Sequence, residues 1–504
     1  MNAALWLALA FSSSPANCRP CHAALVDAYL RTGMGRSISA PAPLAGRFYH
    51  RLSNRHYRIE GNRVRRSQLD PGGVEINVVE KSIDLVIGSG NHARTLVHRS
   101  PQGRLLELPI TWYSRDGGFL AMSPGYDRPD HLDFRREIND SCLFCHAAYP
   151  QAPAGLPRAI DCERCHGTAA AHLAKPGRGN ILNPAKFPAA RQLDLCLSCH
   201  LETASRGIPD SVRLPGRNVF SFQPGERLAA YKVHFDRAEP PPQERFEVNH
   251  AGYRLLQSAC FQRSAGRLTC TTCHDPHTAQ ARQACAGCHQ SSHSRESAAC
   301  AGCHMPQRRA QDAIHVTMTD HWIQRKPVFR EPEGENHAPY TGDIVPFYTS
   351  ADPKLLALAR ALQRAERERT SEVYRALPES AGNLAARGEA LLREGNRREA
   401  RKALERSRRM DPADPVALNA LAVLHATEGR LEEALALLEI SRRAHPGHPL
   451  TWLNLGVTWE AKGDRDQAIQ AYNEAIRLQP DFGAARHRLA TVQASTGDFS
   501  PPRR

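Results

Sequence analysis

The chain has 504 residues and a formal net charge of +14, with 41% hydrophobic and 6% aromatic residues. That length excludes a single small domain and implies two or more. The basic surplus is mostly arginine and comes without a nucleic-acid-binding motif, so nucleic acid is not an expected partner. No run of about 20 apolar residues occurs, so no transmembrane span is expected.

Residues 1–16 read as a short or truncated signal peptide. Ala3–Phe11 is apolar, and Ser14-Pro15-Ala16 resembles a small-residue cleavage site, although no positive charge precedes it. From residue 17 to 325 the chain is dominated by seven Cys-x-x-Cys-His motifs, at Cys18–His22, Cys142–His146, Cys162–His166, Cys196–His200, Cys270–His274, Cys285–His289 and Cys300–His304. They use fourteen of the fifteen cysteines. Each motif has the spacing of a c-type haem attachment site. The two thiols form thioethers to one porphyrin and the histidine ligates its iron. Zinc would need ligands gathered in fours rather than a histidine after every second cysteine. The expected attachment residues are Cys18, Cys21, Cys142, Cys145, Cys162, Cys165, Cys196, Cys199, Cys270, Cys273, Cys285, Cys288, Cys300 and Cys303. The expected proximal ligands are His22, His146, His166, His200, His274, His289 and His304.

Seven covalent haems would make up for the scarce aromatics. With about 40 residues for each of them, the haems themselves become the core. They would also add roughly −7 when oxidised, leaving the surface modestly basic, with arginines pairing propionates. Covalent attachment implies a bacterial exported or periplasmic protein.

Spacing subdivides the region. A gap of 119 residues follows His22, and a gap of 69 follows His200. This predicts one haem set apart and two clusters of three. The first gap reads as a β-rich insert over about 47–125. Runs such as Tyr57–Glu60, Val64–Leu69, Val74–Val79, Leu85–Ile87, Thr95–His98, Leu105–Trp112 and Phe119–Met122 are bounded by turn residues. A small antiparallel meander of four to six strands is expected there, as a lid, a docking face or a haem shield. Residues 204–247 read as irregular chain, and the motif segments as short helices and loops.

Residues 326–350 form a Pro- and Gly-containing linker. Beyond it a 34-residue period appears: Gly388, Ala422, Gly456 and Ala490 share one phase, and Gly395, Gly429, Gly463 and Gly497 another. Trp452-x-x-Leu455-Gly456-x-x-Trp459 is close to the tetratricopeptide (TPR) pattern. The helical repeat domain is therefore placed at 351–504, with repeats 381–414, 415–448 and 449–482 and a partial copy at 483–504. The whole fold is thus mixed: a haem-dominated domain with a small β insert, then an all-α TPR solenoid.

The function of each haem depends on its sixth ligand. Thirteen further histidines lie outside the repeats. His92, His172, His277, His315 and His321 are the favoured distal ligands, ahead of His131, His234, His250 and His293. Met34 could serve the first haem. Cys260, the odd cysteine, reads first as a small buried hydrophobe and second as a thiolate at or near an iron.

Cys162-Glu163-Arg164-Cys165-His166-Gly167 with His172, and Cys273-His274-Asp275-Pro276-His277, resemble the multihaem cytochromes related to cytochrome c554 and hydroxylamine oxidoreductase. The resemblance covers about 140–325. It implies closely stacked haems that pass electrons, with histidines just past a motif ligating neighbouring haems. The tail resembles exported multihaem proteins fused to TPR repeats. No Cys-x-x-Cys-Lys motif is present, which speaks against pentahaem nitrite reductase activity. The expectation is electron transfer, with the repeats docking a redox partner protein. The alternative is a multihaem oxidoreductase acting on a small nitrogen or sulfur compound at one open-site haem. The catalytic residues of such an enzyme are not legible.

Overall fold

The computed structural model describes residues 15–150, 155–177, 179–239, 245–282, 284–289, 300–335, 340–347 and 352–494. The apolar run at 3–11, His293 and His337 lie outside them.

Helix α1 (Pro15–Tyr29) carries the first motif and is kinked at His22. The chain then enters the β-rich region, which has nine strands rather than four to six. They are β1 (Ile38–Ser39), β2 (Leu44–His50), β3 (Arg55–Gly61), β4 (Arg63–Leu69), β5 (Glu75–Ser82), β6 (Leu85–Ile87), β7 (Ala93–Arg99), β8 (Leu105–Tyr113) and β9 (Phe119–Met122). Two antiparallel sheets form, in the orders β2-β3-β4-β5 and β1-β6-β7-β8-β9. Tyr57, Ile59 and Val64 of the first sheet share one buried core with Val86, Leu96, Leu108 and Ile110 of the second. Alternation puts those side chains on one face of each strand. The hairpin between β3 and β4 turns at Gly61, whose φ of +58° suits glycine.

The motif segments are short helices: α2 (Asp140–His146), α3 (Glu163–His166), α4 (Ala170–Ala174) and α5 (Ala189–His200). The segment expected to be irregular supplies β10 (Ser211–Arg213) and β11 (Lys232–Arg237). Next come α6 (Ala251–Gln257), α7 (Ala259–Gln262), α8 (Cys270–Cys273), a 3-10 turn at Cys285–Gly287, α9 (Cys300–His304), and the paired strands β12 (Gln307–Arg309) and β13 (Thr317–Thr319). The stretch read as a linker contains β14 (Ile344–Pro346), which pairs with β11. Ile344 is fully buried with Phe235, Leu355 and Ala359. This stretch is therefore anchored in a three-stranded sheet, not free as a tether.

The C-terminal helices are α10 (Pro353–Glu368), α11 (Ser371–Arg375), α12 (Ala381–Arg393), α13 (Arg397–Met410), α14 (Pro415–Thr427), α15 (Leu431–Ala444), α16 (Pro449–Lys462), α17 (Arg465–Leu478) and α18 (Gly483–Ala494). Consecutive helices pair at the predicted period. Gly395, Gly429 and Gly463 make the inter-helix turns at φ of +81°, +77° and +85°. At Gly456 a Cβ would lie 2.4 Å from the Tyr472 ring, so the small residue lets α16 and α17 close together. Among the described residues no helix is long and apolar enough to cross a membrane.

The array leans on the first sheet. Arg55 reaches Asp481 at 3.1 Å, and Arg66 donates to the carbonyls of Arg477 and Leu478 at 3.2 Å, at the end of α17. Those carbonyls are the unsatisfied acceptors of a helix C-terminus, where a guanidinium is favourable. In return Arg477 donates to the Val78 carbonyl at 2.9 Å. Gln102 donates to the Arg443 carbonyl at 2.8 Å. This β region is thus the bed on which the repeats rest.

Candidate cofactor sites

The Cys-x-x-Cys-His spacing acquires its geometry from the helix. Positions i, i+3 and i+4 share one helical face, so both thiols and the imidazole emerge together where the histidine ends its helix, at His146, His166, His200 and His304. His22 sits at a kink, and His274 and His289 follow the last turn of their elements. Local capping fixes two of these turns. Asn139 accepts from the Ser141 and Cys142 amides ahead of α2, and Thr269 and Thr272 form a capping box around α8. The cysteines carry no disulfides.

Among the described residues three motif histidines stand opposite a histidine from outside the motifs. The ring centroids of His22 and His172 are 6.3 Å apart with 23° between planes. Those of His166 and His277 are 6.0 Å apart at 28°. Those of His274 and His321 are 6.2 Å apart at 31°. Two imidazoles holding one first-row metal ion from opposite sides, each at a bond of about 2.0–2.1 Å, put their centroids about 6 Å apart. In each pair the outside histidine faces a different motif from the one it follows in sequence. His172 follows His166 but faces His22, and His277 follows His274 but faces His166.

In three of these six histidines, and in His304, the second ring nitrogen is tied down. His166 Nδ1 donates to the Leu182 carbonyl at 2.8 Å, His172 Nδ1 to Gly177 at 3.2 Å, His304 Nδ1 to Gln324 at 2.7 Å and His321 Nδ1 to Thr319 at 3.0 Å. This leaves Nε2 as the lone-pair nitrogen, the usual arrangement of a metal-ligating histidine. Burial, foremost, holds His146, His166, His274 and His321 below the ordinary imidazole value.

The other candidates lie elsewhere. His315 packs against Tyr113 and Phe119, with centroids 5.0 and 5.4 Å away. Burial lowers the pKa of His92, whose imidazole bonds to the Thr317 backbone. Met34 is half-buried in the turn after α1, and His172 is the residue opposite His22. His131 is buried in the β region beside Arg55, which reaches its ring at 3.0 Å. His250 accepts from the Glu247 amide at 3.2 Å, and His234 is fully buried.

The motifs adjoin one another. Cys18 interacts with Cys162, Cys145 with Cys199 and Cys196 with Cys270. Cys285 lies within electrostatic reach of both Cys300 and Cys273. Arg164, inside the third motif, donates to the Phe144 carbonyl at 2.7 Å in the second and lies 4.6 Å over the Phe144 ring. The first motif is therefore not set apart, as spacing predicted. The β region is a long excursion that returns the chain: Tyr29 donates to Ile160 at 2.8 Å, and Ser37 donates to the His146 carbonyl at 2.7 Å.

Sequence reading missed the supports. Asp320, next to His321, is clamped by Arg254 Nη2 at 2.6 Å and Arg308 at 2.9 Å, all three buried. Its adjacency to a candidate ligand was the available signal.

The donor set fits haem on three counts. The opposed pairs have the required separation. Between Leu255 and Ala310 no described apolar side chain is buried, although three motifs lie there, and flat apolar cofactors would supply that core. Buried Arg217 Nε and Arg245 Nε and Nη1 have no partner among the described residues, and a propionate would satisfy them. Among the described residues no three His, Cys, Asp or Glu side chains converge as a zinc site requires.

The fold is thus a mixed helix-and-sheet region bearing the motifs, joined to a helical repeat array. Tetratricopeptide-repeat family models match residues 385–449 and 449–482. The C-terminal region carries TPR repeats, a class suited to protein–protein docking. No curated protein matches the chain. Among solved structures, the first TPR of Spaghetti (RPAP3) bound to an HSP90 peptide is 17% identical. It covers 24% of this chain and 94% of that one, with a TM-score of 0.23. The Sgt2 TPR domain from Aspergillus fumigatus is 21% identical, covering 25% and 86%, with a TM-score of 0.23. YrrB, a TPR protein with an unusual peptide-binding site, is 25% identical, covering 27% and 73%, with a TM-score of 0.24.

Proposed function

We propose that this chain is an exported seven-haem c-type cytochrome that transfers electrons, with its TPR array docking a redox partner protein. The observation that carries the reading is the set of three opposed histidine pairs at 6.0–6.3 Å. The fourteen motif cysteines would hold the porphyrins, and the seven motif histidines the irons. His172, His277 and His321 would close three of the sixth positions. When bound, the haems supply reversible one-electron chemistry at iron.

The protein's part is to fix ligands and spacing. The carbonyls of Leu182, Gly177 and Thr319 orient the imidazoles, and the Arg254–Asp320–Arg308 clamp holds His321 toward His274. Arg164 staples the second motif to the third. The contiguity of motifs favours a relay over isolated centres. Stacked helical repeats present an extended surface for a protein partner.

Electron paramagnetic resonance of the oxidised holoprotein tests this. Low-spin signals should dominate. A full-occupancy high-spin haem would instead favour an oxidoreductase with one open iron, and turnover of nitrite, hydroxylamine or tetrathionate would confirm that alternative.

A further inference from the structure

The fifteenth cysteine lies opposite a motif histidine. Cys260 Sγ is 3.8 Å from His289 Nε2. His289 closes the sixth motif, whose own thiols, Cys285 and Cys288, are committed to attachment on the reading above. Two ligands spanning one metal ion through bonds of about 2.0–2.1 Å to nitrogen and 2.3 Å to sulfur stand about 4.4 Å apart. The observed separation is about half an ångström less, a shift that side-chain rotation of two partly exposed residues can absorb.

The element presenting Cys260 is built for placement. It sits in α7, whose first turn is capped by buried Ser258, accepting from the Phe261 amide at 3.2 Å. Ser258 donates in turn to the Leu255 carbonyl at 2.8 Å. The preceding α6 is pressed against the end of α5. A Cβ at Gly252 would fall 2.5 Å from the His200 carbonyl oxygen, so only glycine permits that approach. The Cys260 backbone is therefore referenced to the fourth motif while its thiol faces the sixth. This is the arrangement of the three histidine pairs, where the outside ligand also comes from a segment anchored at another motif.

We infer that Cys260 is the sixth ligand, as thiolate, of the haem attached at Cys285 and Cys288, trans to His289. The inference rests on the haem reading above. Coordination displaces the thiol proton to solvent. A thiolate pushes electron density onto iron, so this haem would be the most reducing of the set and distinct from the histidine-ligated ones.

The test uses the purified full-length holoprotein. Near-infrared magnetic circular dichroism should show one thiolate-ligated low-spin haem among seven. In Cys260→Ala that signature should vanish and one haem should become high-spin, with the haem count by mass unchanged. Cys260→Met should restore a low-spin haem at a higher potential. Seven attached haems without a thiolate signature, or an unchanged spectrum in Cys260→Ala, would overturn the inference while leaving the cytochrome reading intact. A chain isolated without attached haem would instead overturn the underlying reading.

Discussion

The segment between Leu255 and Ala310 and the repeats from Ala381 onward solve the same problem in opposite ways. In the repeats Leu418, Leu421, Leu438 and Ala434 are fully buried in one continuous cluster. In the motif segment no described apolar side chain is buried. One region stores its core in the side-chain period, and on the proposed reading the other would leave its core to a cofactor. Folding of the first is a property of the chain, and on that reading folding of the second would be a property of the chain plus haem.

The difference has graded consequences. The largest concerns apoprotein. Chain produced without haem attachment should show protease-resistant repeats but a degraded motif region, read by limited proteolysis and mass mapping. Equal resistance of both regions would contradict the contrast. Next, His172→Ala, His277→Ala and His321→Ala should each turn one haem of the seven high-spin, with the repeats' melting unchanged. Conversely, Leu418→Ala should cost about 2–5 kcal/mol in the repeats and leave the haem spectrum alone.

A smaller effect sits where the two halves meet. Burial first, then the Arg55 charge, lowers His131 from 6.5 to about 3. Between those values the unfolded chain binds a proton that the folded chain does not, so stability falls as pH drops through this window. Urea titrations should show a loss of about 2 kcal/mol between about pH 6.5 and 5, at roughly 1.4 kcal/mol per unit. His131→Gln should flatten that slope. The smallest effect is expected of Asp481→Asn. It removes a half-exposed partner of Arg55 and should cost about 1 kcal/mol or less.

What sequence reveals follows from the range of the interactions. The motifs are local, and the 34-residue period repeats in register, so both are legible. The strand β2 was missed because Leu44-Ala45-Gly46-Arg47 lacks β-branched residues and half of its side chains face solvent. Arg55 and Arg66 are 1% and 0% exposed, although nothing in their local sequence marks them for burial. The repeat array covers them, and no local pattern encodes that. His172, His277 and His321 were identifiable as candidates from their position near motifs. Their partners were not, because each faces a motif brought near by the folded chain. The isolation of the first motif failed as an expectation for the same reason: 119 intervening residues form a sandwich whose ends return together.

The most direct measurement is denaturing intact-mass spectrometry of the full chain purified from a bacterium competent for c-type haem attachment. The account predicts a single species carrying seven covalent haems. Unmodified chain, or chain carrying metal without porphyrin, would contradict it.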